Sequence, residues 1–435
     1  DDIVGIAIDA DAGTAKFYIN GSLQGGITTS GTVDISAGSG DGYRFWALMP
    51  NGNPTVFTAN FGQDSSFAGA KTPQGNQDAN SVGDFFYPVP SGFLALCTKS
   101  LPDVDVIPSE HFNTVTWTGN GSARSITTGV DTDLVWTKAR NQTYDHNLFD
   151  SVRGALKKIS SNSTVAESSM TNSVTAFNTD GFTLGDTAQV NLNGGTFVAW
   201  NWKLGGTAVS NTNGSATSQV SANVDAGISI ATFTLPTTAT TIGHGLSKAP
   251  ELVIHKGRVS GSAWWTFHKD IGNTKALRLD STTNSVTSTN FWNNTDPTST
   301  VVTIGANSGG NNSWLMYCFH SVESYSKVGS YTGNGSADGT FVHCGFRPAY
   351  VMVKETSGVD SWLIQDSTRA TYNQMDTTLA ANSSGAENAD TGGMALDFLS
   401  NGIKMRSSGG DYNASGANYI FLAFAETPFK FSNAR

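Results

Sequence analysis

At 435 residues the chain is long enough for several domains, each able to bury its own core. Aromatics reach 10% and charged residues only 14%, with 48 glycines; 24 Phe and 10 Trp exclude a disordered low-complexity chain. A net charge of -10 without a basic stripe argues against nucleic acid and polyanionic surfaces as partners, and no run approaches the roughly 18 apolar residues that a membrane span requires.

The chain opens inside a strand-like run, Asp1-Asp2-Ile3-Val4-Gly5-Ile6-Ala7-Ile8, which implies that its natural beginning lies upstream. A strand, a turn, a second strand and a second turn follow through Asp9–Gly21, and Tyr43–Leu48 and Val56–Gly62 read as further strands. Asp9-Ala10-Asp11-Ala12-Gly13 has the opening of a calcium loop, but Lys16-Phe17-Tyr18 stands where later ligands would be needed, so it reads as a hairpin turn. Residues 71–112 are rich in Gly, Gln, Asn and Pro and read as a linker, with Pro88, Pro90, Pro102 and Pro108 restricting the backbone.

Beyond the linker the sequence repeats itself. Thr118-Gly119-Asn120-Gly121-Ser122-Ala123 recurs as Thr332-Gly333-Asn334-Gly335-Ser336-Ala337, each copy preceded by an aromatic, Trp117 or Tyr331. Apolar strands ending in lysine follow, Leu134–Lys138 and Tyr350–Lys354, with a divergent third copy at Leu252–Lys256. Downstream of each lysine stands an aspartate, pairing Lys138 with Asp150, Lys256 with Asp270 and Lys354 with Asp366. The pairs read as strand-end salt bridges or turn caps, with a repeated binding site as the alternative. Asp180-Gly181 and Asn401-Gly402 are hairpin signals, because both turn residues tolerate positive φ.

Each copy closes on an aromatic strand: Thr196–Trp202, Trp314–Phe319 and Tyr419–Phe424. Val198, Trp200 and Trp202 share one face by the two-residue period. Cys318, inside such a run, reads as a small buried hydrophobe, and three cysteines cannot complete a paired disulfide framework. Only Ser151–Ile159 hints at a turn of helix. The pattern predicts an all-β chain of tandem antiparallel β-sandwiches, of jelly-roll or concanavalin A-like type. The expected divisions are a partial sandwich over 1–70, the linker over 71–112, and repeats over 113–207, 208–325 (divergent) and 326–435.

Two resemblances extend this reading. Asp9, Asp11, Gly13, Lys16-Phe17-Tyr18, Asn20-Gly21 and Asn60-Phe61-Gly62 resemble the C-terminal half of a SPRY domain, a concanavalin A-like sandwich. The likeness implies that the partner strands lie upstream or come from another chain. Pro90–Pro102 resembles a connector of marine phage tail-associated proteins, and the repeats with the ending Phe421–Phe429 resemble an uncharacterised domain family of marine phage structural proteins. That likeness implies a virion location and no catalytic residues.

The seven histidines are dispersed without metal-ligand spacing, and no cofactor or metal site is expected. Asp145-His146 and His268-Lys269-Asp270 come nearest to acid/base pairs and read as surface or packing groups. The candidate ligand-binding residues are aromatic. Trp264 and Trp265 are adjacent and must face opposite sides of a strand, and Trp292 lies among asparagines in an expected loop, where a ring beside polar groups suits a sugar. The expected function is a non-enzymatic phage virion protein, a tail fibre or similar appendage that binds a host-surface glycan or protein. It is expected to self-associate as a homotrimer or other homo-oligomer and to contact other virion proteins. A capsid decoration or head fibre, a tailspike-type glycan-degrading enzyme and a secreted adhesin are the alternatives.

Overall fold

β-Branched and aromatic runs separated by Gly, Asn and Asp favour extended backbone joined by tight turns. The computed structural model describes residues 2–9, 12–25, 32–34, 58–97, 100, 104–306, 312–389 and 394–426. Among them the chain is nearly all β, and every strand pair is antiparallel. It divides into two units, Asp1–Pro102 and Asp103–Arg435.

In the first unit, Val4–Asp9 pairs with Thr14–Ile19, and the latter also pairs with Ser22–Leu23 and Thr32–Asp34. The Asp9 carboxylate accepts the Ala12 N–H at 2.9 Å, a local turn bond; Ala10 and Asp11 lie outside the described residues, as does the expected strand Tyr43–Leu48. Of the expected strand Val56–Gly62, the described part from Thr58 onward is not strand. Within the segment expected to be a linker, Asp78 organises hydrogen-bonded turns. Its carboxylate accepts backbone N–H groups of Asn80, Val82 and Ala95 and the Ser100 hydroxyl, bonds that hold its pKa below the usual carboxylate range, Ala95 foremost.

The second unit contains three repeats, each with a large and a small sheet. In repeat 1 the large sheet runs, in spatial order, Phe112–Thr118, Thr196–Trp202, Leu134–Ala139 and Asn147–Asp150, and the small one Val174–Asn178, Gly181–Leu184 and Arg124–Thr127. Repeat 3 matches it strand for strand, and its large sheet gains Thr377–Ala380 and Asn388–Ala389. Repeat 2 shares the central large-sheet order but adds the hairpin strands Val209–Asn211 and Ser218–Asn223 beside Ile228–Leu235, and its small sheet has only Thr240–Gly243 and Val301–Ile304.

The large sheets are buried on both faces, which explains why their central strands are continuous apolar runs. In Leu134–Ala139, Leu134 and Trp136 point into one core while Val135 and Ala139 point into another. Val198, Trp200 and Trp202 face the first core, and Phe197 and Ala199 the second. Repeat 2 divides Leu315, Tyr317 and Phe319 from Trp314, Met316 and Cys318 in the same way, and repeat 3 divides Ile420, Leu422 and Phe424 from Tyr419, Phe421 and Ala423. One face of each large sheet therefore meets its own small sheet, and the other faces of all three meet in a single shared core. Phe112 of repeat 1 stacks on Phe424 of repeat 3 with centroids 4.9 Å apart, and Trp202 packs edge-on to Tyr350. Each such side chain contributes roughly 1.5–3 kcal/mol by burial.

Two local expectations change in form. Ser151–Ile159 is not helical: Asp150 caps a turn by accepting the Arg153 N–H, and Lys157–Lys158 is a short strand. In the two hairpins the register pairs Asn178 with Gly181 and Leu399 with Gly402, so the loops are Thr179-Asp180 and Ser400-Asn401 and each glycine opens the returning strand. The glycine is demanded by the neighbouring strand, since a Cβ at Gly181 would lie 2.0 Å from the Ile126 carbonyl oxygen and one at Gly402 2.1 Å from that of Val342.

The TGNGSA repeat is a docking loop. Asn413, fully buried, accepts the Asn334 N–H and donates to Asn334 Oδ1, Ser336 O and Ser407 O at 2.8–2.9 Å. Asn191 does the same in repeat 1 for Asn120, Ser122 and Gly185. Asn413→Ala strands several buried polar groups and is expected to lower unfolding free energy by about 1–3 kcal/mol, read from the urea midpoint at unchanged m-value.

Candidate functional site

The three tryptophans expected to meet a ligand do not form a site. Trp264 is fully buried and its indole N–H donates to Ser160 O at 2.8 Å, across to repeat 1. Trp292 is 1% exposed, donates to Lys275 O at 2.9 Å and packs against His255 and Phe267. Its polar neighbours in sequence made it read as a surface ring, but Asn293 and Asn294 take positive φ and turn the chain so that the ring points inward. Trp265 is half-buried between Phe291 and Arg278.

Trp264 instead belongs to a cyclic set of clamps. By strand register, Trp362 of repeat 3 and His146 of repeat 1 are its equivalents. Trp362 donates to Arg278 O of repeat 2 at 2.8 Å, and His146 Nε2 reaches Ala380 O of repeat 3 at 3.0 Å. Because Trp136 donates to His146 Nδ1, the imidazole carries its proton on Nε2 and is the donor here. Repeats 2 and 3 thus each hold the repeat before them, and repeat 1 holds repeat 3, closing a ring with three-fold character. Trp264→Phe keeps a ring but loses the bond to Ser160, and it is expected to cost about 1–3 kcal/mol in a denaturant titration.

The lysine–aspartate pairs are not ion pairs. Lys138, Lys256 and Lys354 are fully buried and hydrogen-bond carbonyl oxygens: Lys138 those of Ala139 and Gln142, Lys256 those of Thr164 and Ser262, and Lys354 those of Glu355, Thr282 and Gly358. Burial pushes each ammonium down to about 8. The Thr164 and Thr282 bonds run between repeats. Asp150 and Asp366 pair with Arg153 and Arg369, and they accept the Tyr317 hydroxyl and the Trp200 indole N–H from neighbouring repeats at 3.2 and 3.0 Å. In repeat 2 the equivalent position is His268, opposite Leu252, rather than Asp270. The aspartates do act as turn caps, accepting the Arg153 and Arg369 N–H groups.

Among the described residues no cluster of three His, Cys, Asp or Glu could hold a metal ion, and no helix is long and apolar enough to cross a membrane. The cavity in the shared core has about 20 Å³ of space and an apolar lining that includes Trp136, Ile254 and Met352, too small for a ligand. Cys318 is fully buried, which raises its thiol pKa and makes it inert.

An open groove of about 360 Å³ lies at the seam between repeats 2 and 3. Its walls are Ser326–Thr332, the outer strand of the large sheet of repeat 3, and Phe341–His343, the outer strand of the small sheet, with the Lys269-Asp270 turn of repeat 2 closing one side. Period-two alternation turns Phe341, 42% exposed, and His343 outward while Val342 is buried. Lys327 is half-buried with no carboxylate within 4 Å among the described residues, whereas Lys269 pairs with Glu251 at 2.7 Å. Of these residues the sequence reading singled out Lys269 and Asp270, both as surface or packing groups and Asp270 also as the partner of Lys256 in a strand-end salt bridge or turn cap.

Fold and seams together define a class: a ring of three antiparallel β-sandwiches closed around one shared core. A family model described as a domain of unknown function, DUF7483, matches residues 107–428, and the chain belongs to that family. No curated protein and no solved structure matches the chain.

Proposed function

We propose that this chain is a bacteriophage virion structural protein, part of a tail fibre or similar appendage, which contacts the host surface by binding rather than by reaction. The observation that carries the reading is where the polar chemistry lies. The buried ionisable groups His146, Lys256, Lys354, Asp150 and Asp366 each bond from one repeat to another, while the outer groove presents accessible polar groups and an exposed ring. Low charge and abundant hydroxyl and amide side chains suit a durable outer surface. The SPRY-like and phage-like residue patterns supply the particle assignment. Assembly as a homo-oligomer, a trimer for example, belongs to the proposal, because copy number converts weak contacts into avidity.

The test is immunogold electron microscopy of purified particles with antibodies against the recombinant chain. Labelled surface projections are expected; particles that carry no label would remove the reading.

A further inference from the structure

We propose that the groove between repeats 2 and 3 binds a carboxylate-bearing sugar residue of a surface polysaccharide. The inference rests on the attachment reading above and assigns its site.

The argument comes from comparing the repeats with one another. Strand registers align the groove position by position with the corresponding seam between repeats 1 and 3. Lys327 stands where repeat 1 has Asn113, Gly329 where it has Val115, Phe341 where it has Ser125 and His343 where it has Thr127. Lys269 and Asp270 stand where the turn of repeat 3 has Ser367 and Thr368. The repeat 1 seam is closed by its own bonds, Asn113 to Thr128 O and Thr368 to Thr114 O. At the remaining seam the outer edge of Ile228–Leu235 is covered by Ser218–Asn223. Small neutral groups at the closed seam are thus exchanged for ammonium, imidazole, carboxylate and an exposed ring at the open one. Folding does not require that exchange, since the equivalent seam closes without it.

The groove's shape follows from two further features. Gly329 pairs with Phe421, and a Cβ there would come within 2.8 Å of the Phe421 ring, so the floor is ring and bare backbone. Val328 turns its N–H away from the sheet to the Ser321 hydroxyl, and the same alternation turns the N–H and C=O of exposed Ser330 outward into the groove. No hydrogen bond satisfies that outward pair among the described residues.

Each group has a counterpart on an acidic sugar. The Lys327 ammonium, with His343 beside it, faces the carboxylate, while Asp270 and the Ser330 backbone pair hydrogen-bond hydroxyls. The Phe341 ring takes the apolar face of the pyranose. The volume is at the lower end for small-ligand sites, which suits a short stretch of polysaccharide.

An array of uronate- and sialate-bearing glycans beside neutral counterparts, probed with the full chain, tests this. Acidic glycans are expected to be retained above neutral ones. Lys327→Gln and Phe341→Ala should each cut retention at least tenfold at unchanged melting temperature, and Ser125→Ala, the equivalent position of repeat 1, should leave it unaltered. No preference for acidic glycans, or retention that survives both groove variants, overturns the assignment. The attachment reading fails separately, by absence of label on particles.

Discussion

Asp366→Ala is expected to be among the most damaging single substitutions in the second unit, lowering its stability by about 3–5 kcal/mol. Asp366 is fully buried, and its carboxylate accepts the Arg369 guanidinium at 2.5 Å, the Arg369 N–H at 2.9 Å and the Trp200 indole N–H at 3.0 Å. Removing it strands a buried guanidinium whose remaining partners are Glu387 at 3.1 Å and the Ile364 carbonyl. It also unties repeat 1 from repeat 3 at the shared core. The double variant Asp366→Ala/Arg369→Met should cost less than the single one, because no uncompensated charge is left behind. Urea titrations of the single and double variants supply the comparison. A single variant within 1 kcal/mol of the parent would show that Asp366 does not hold the ring.

The second large effect is a loss of stability in acid. Burial depresses His255 to about 3 and His244 and His268 to about 4, and it places His146 well below the ordinary value of 6.5. These residues are neutral when folded and take up protons on unfolding. Their contribution is therefore complete above pH 6.5 and is lost as pH falls through the window towards 4 and 3. At about 1.4 kcal/mol per pH unit of depression, His244, His255 and His268 together account for roughly 10 kcal/mol by pH 4, comparable with the whole stability of an ordinary domain. Neither ring nitrogen of His255 has a hydrogen-bond partner among the described residues. His255→Leu should accordingly leave stability at pH 7 unchanged or raised and flatten the acid loss. Thermal melts from pH 7.5 to 4 read both effects, and a melting temperature that stays level over that range would contradict the protonation argument.

The sequence announced the strands and the repeat more fully than their assembly. A two-residue period placed Val198, Trp200 and Trp202 on one face, and all three line the shared core. What the period could not reveal was a second covered face, since a strand such as Leu134–Ala139, apolar throughout, reads equally as the centre of one sandwich or as a wall between two cores. The clamps were hidden because Trp264, Trp362 and His146 reach backbone carbonyls at Ser160, Arg278 and Ala380, and a carbonyl carries no residue signature. The recurring lysines drew attention to the aspartates downstream, yet Asp150 and Asp366 pair with arginines three residues on, while carbonyl oxygens take the ammonium groups.

The groove was illegible for a related reason. Lys269 belongs to repeat 2 and meets Lys327, Phe341 and His343 of repeat 3 only because the ring sets the two repeats side by side. Aligning repeats 1 and 3 by strand register exposes the exchange at Asn113/Lys327 and Ser125/Phe341, a signal present in the sequence but readable only once the pairing is known.

Native-state hydrogen exchange on the full chain tests most directly whether three repeats form one cooperative body. Amides in the central strands Leu134–Ala139, Leu252–Gly257 and Pro348–Glu355 belong to different repeats but abut the same core. The closed ring predicts that their slowest amides open with one common free energy and lose protection together as denaturant is added. Three distinct opening energies, with one repeat exchanging freely while the others stay protected, would show separate sandwiches joined in series.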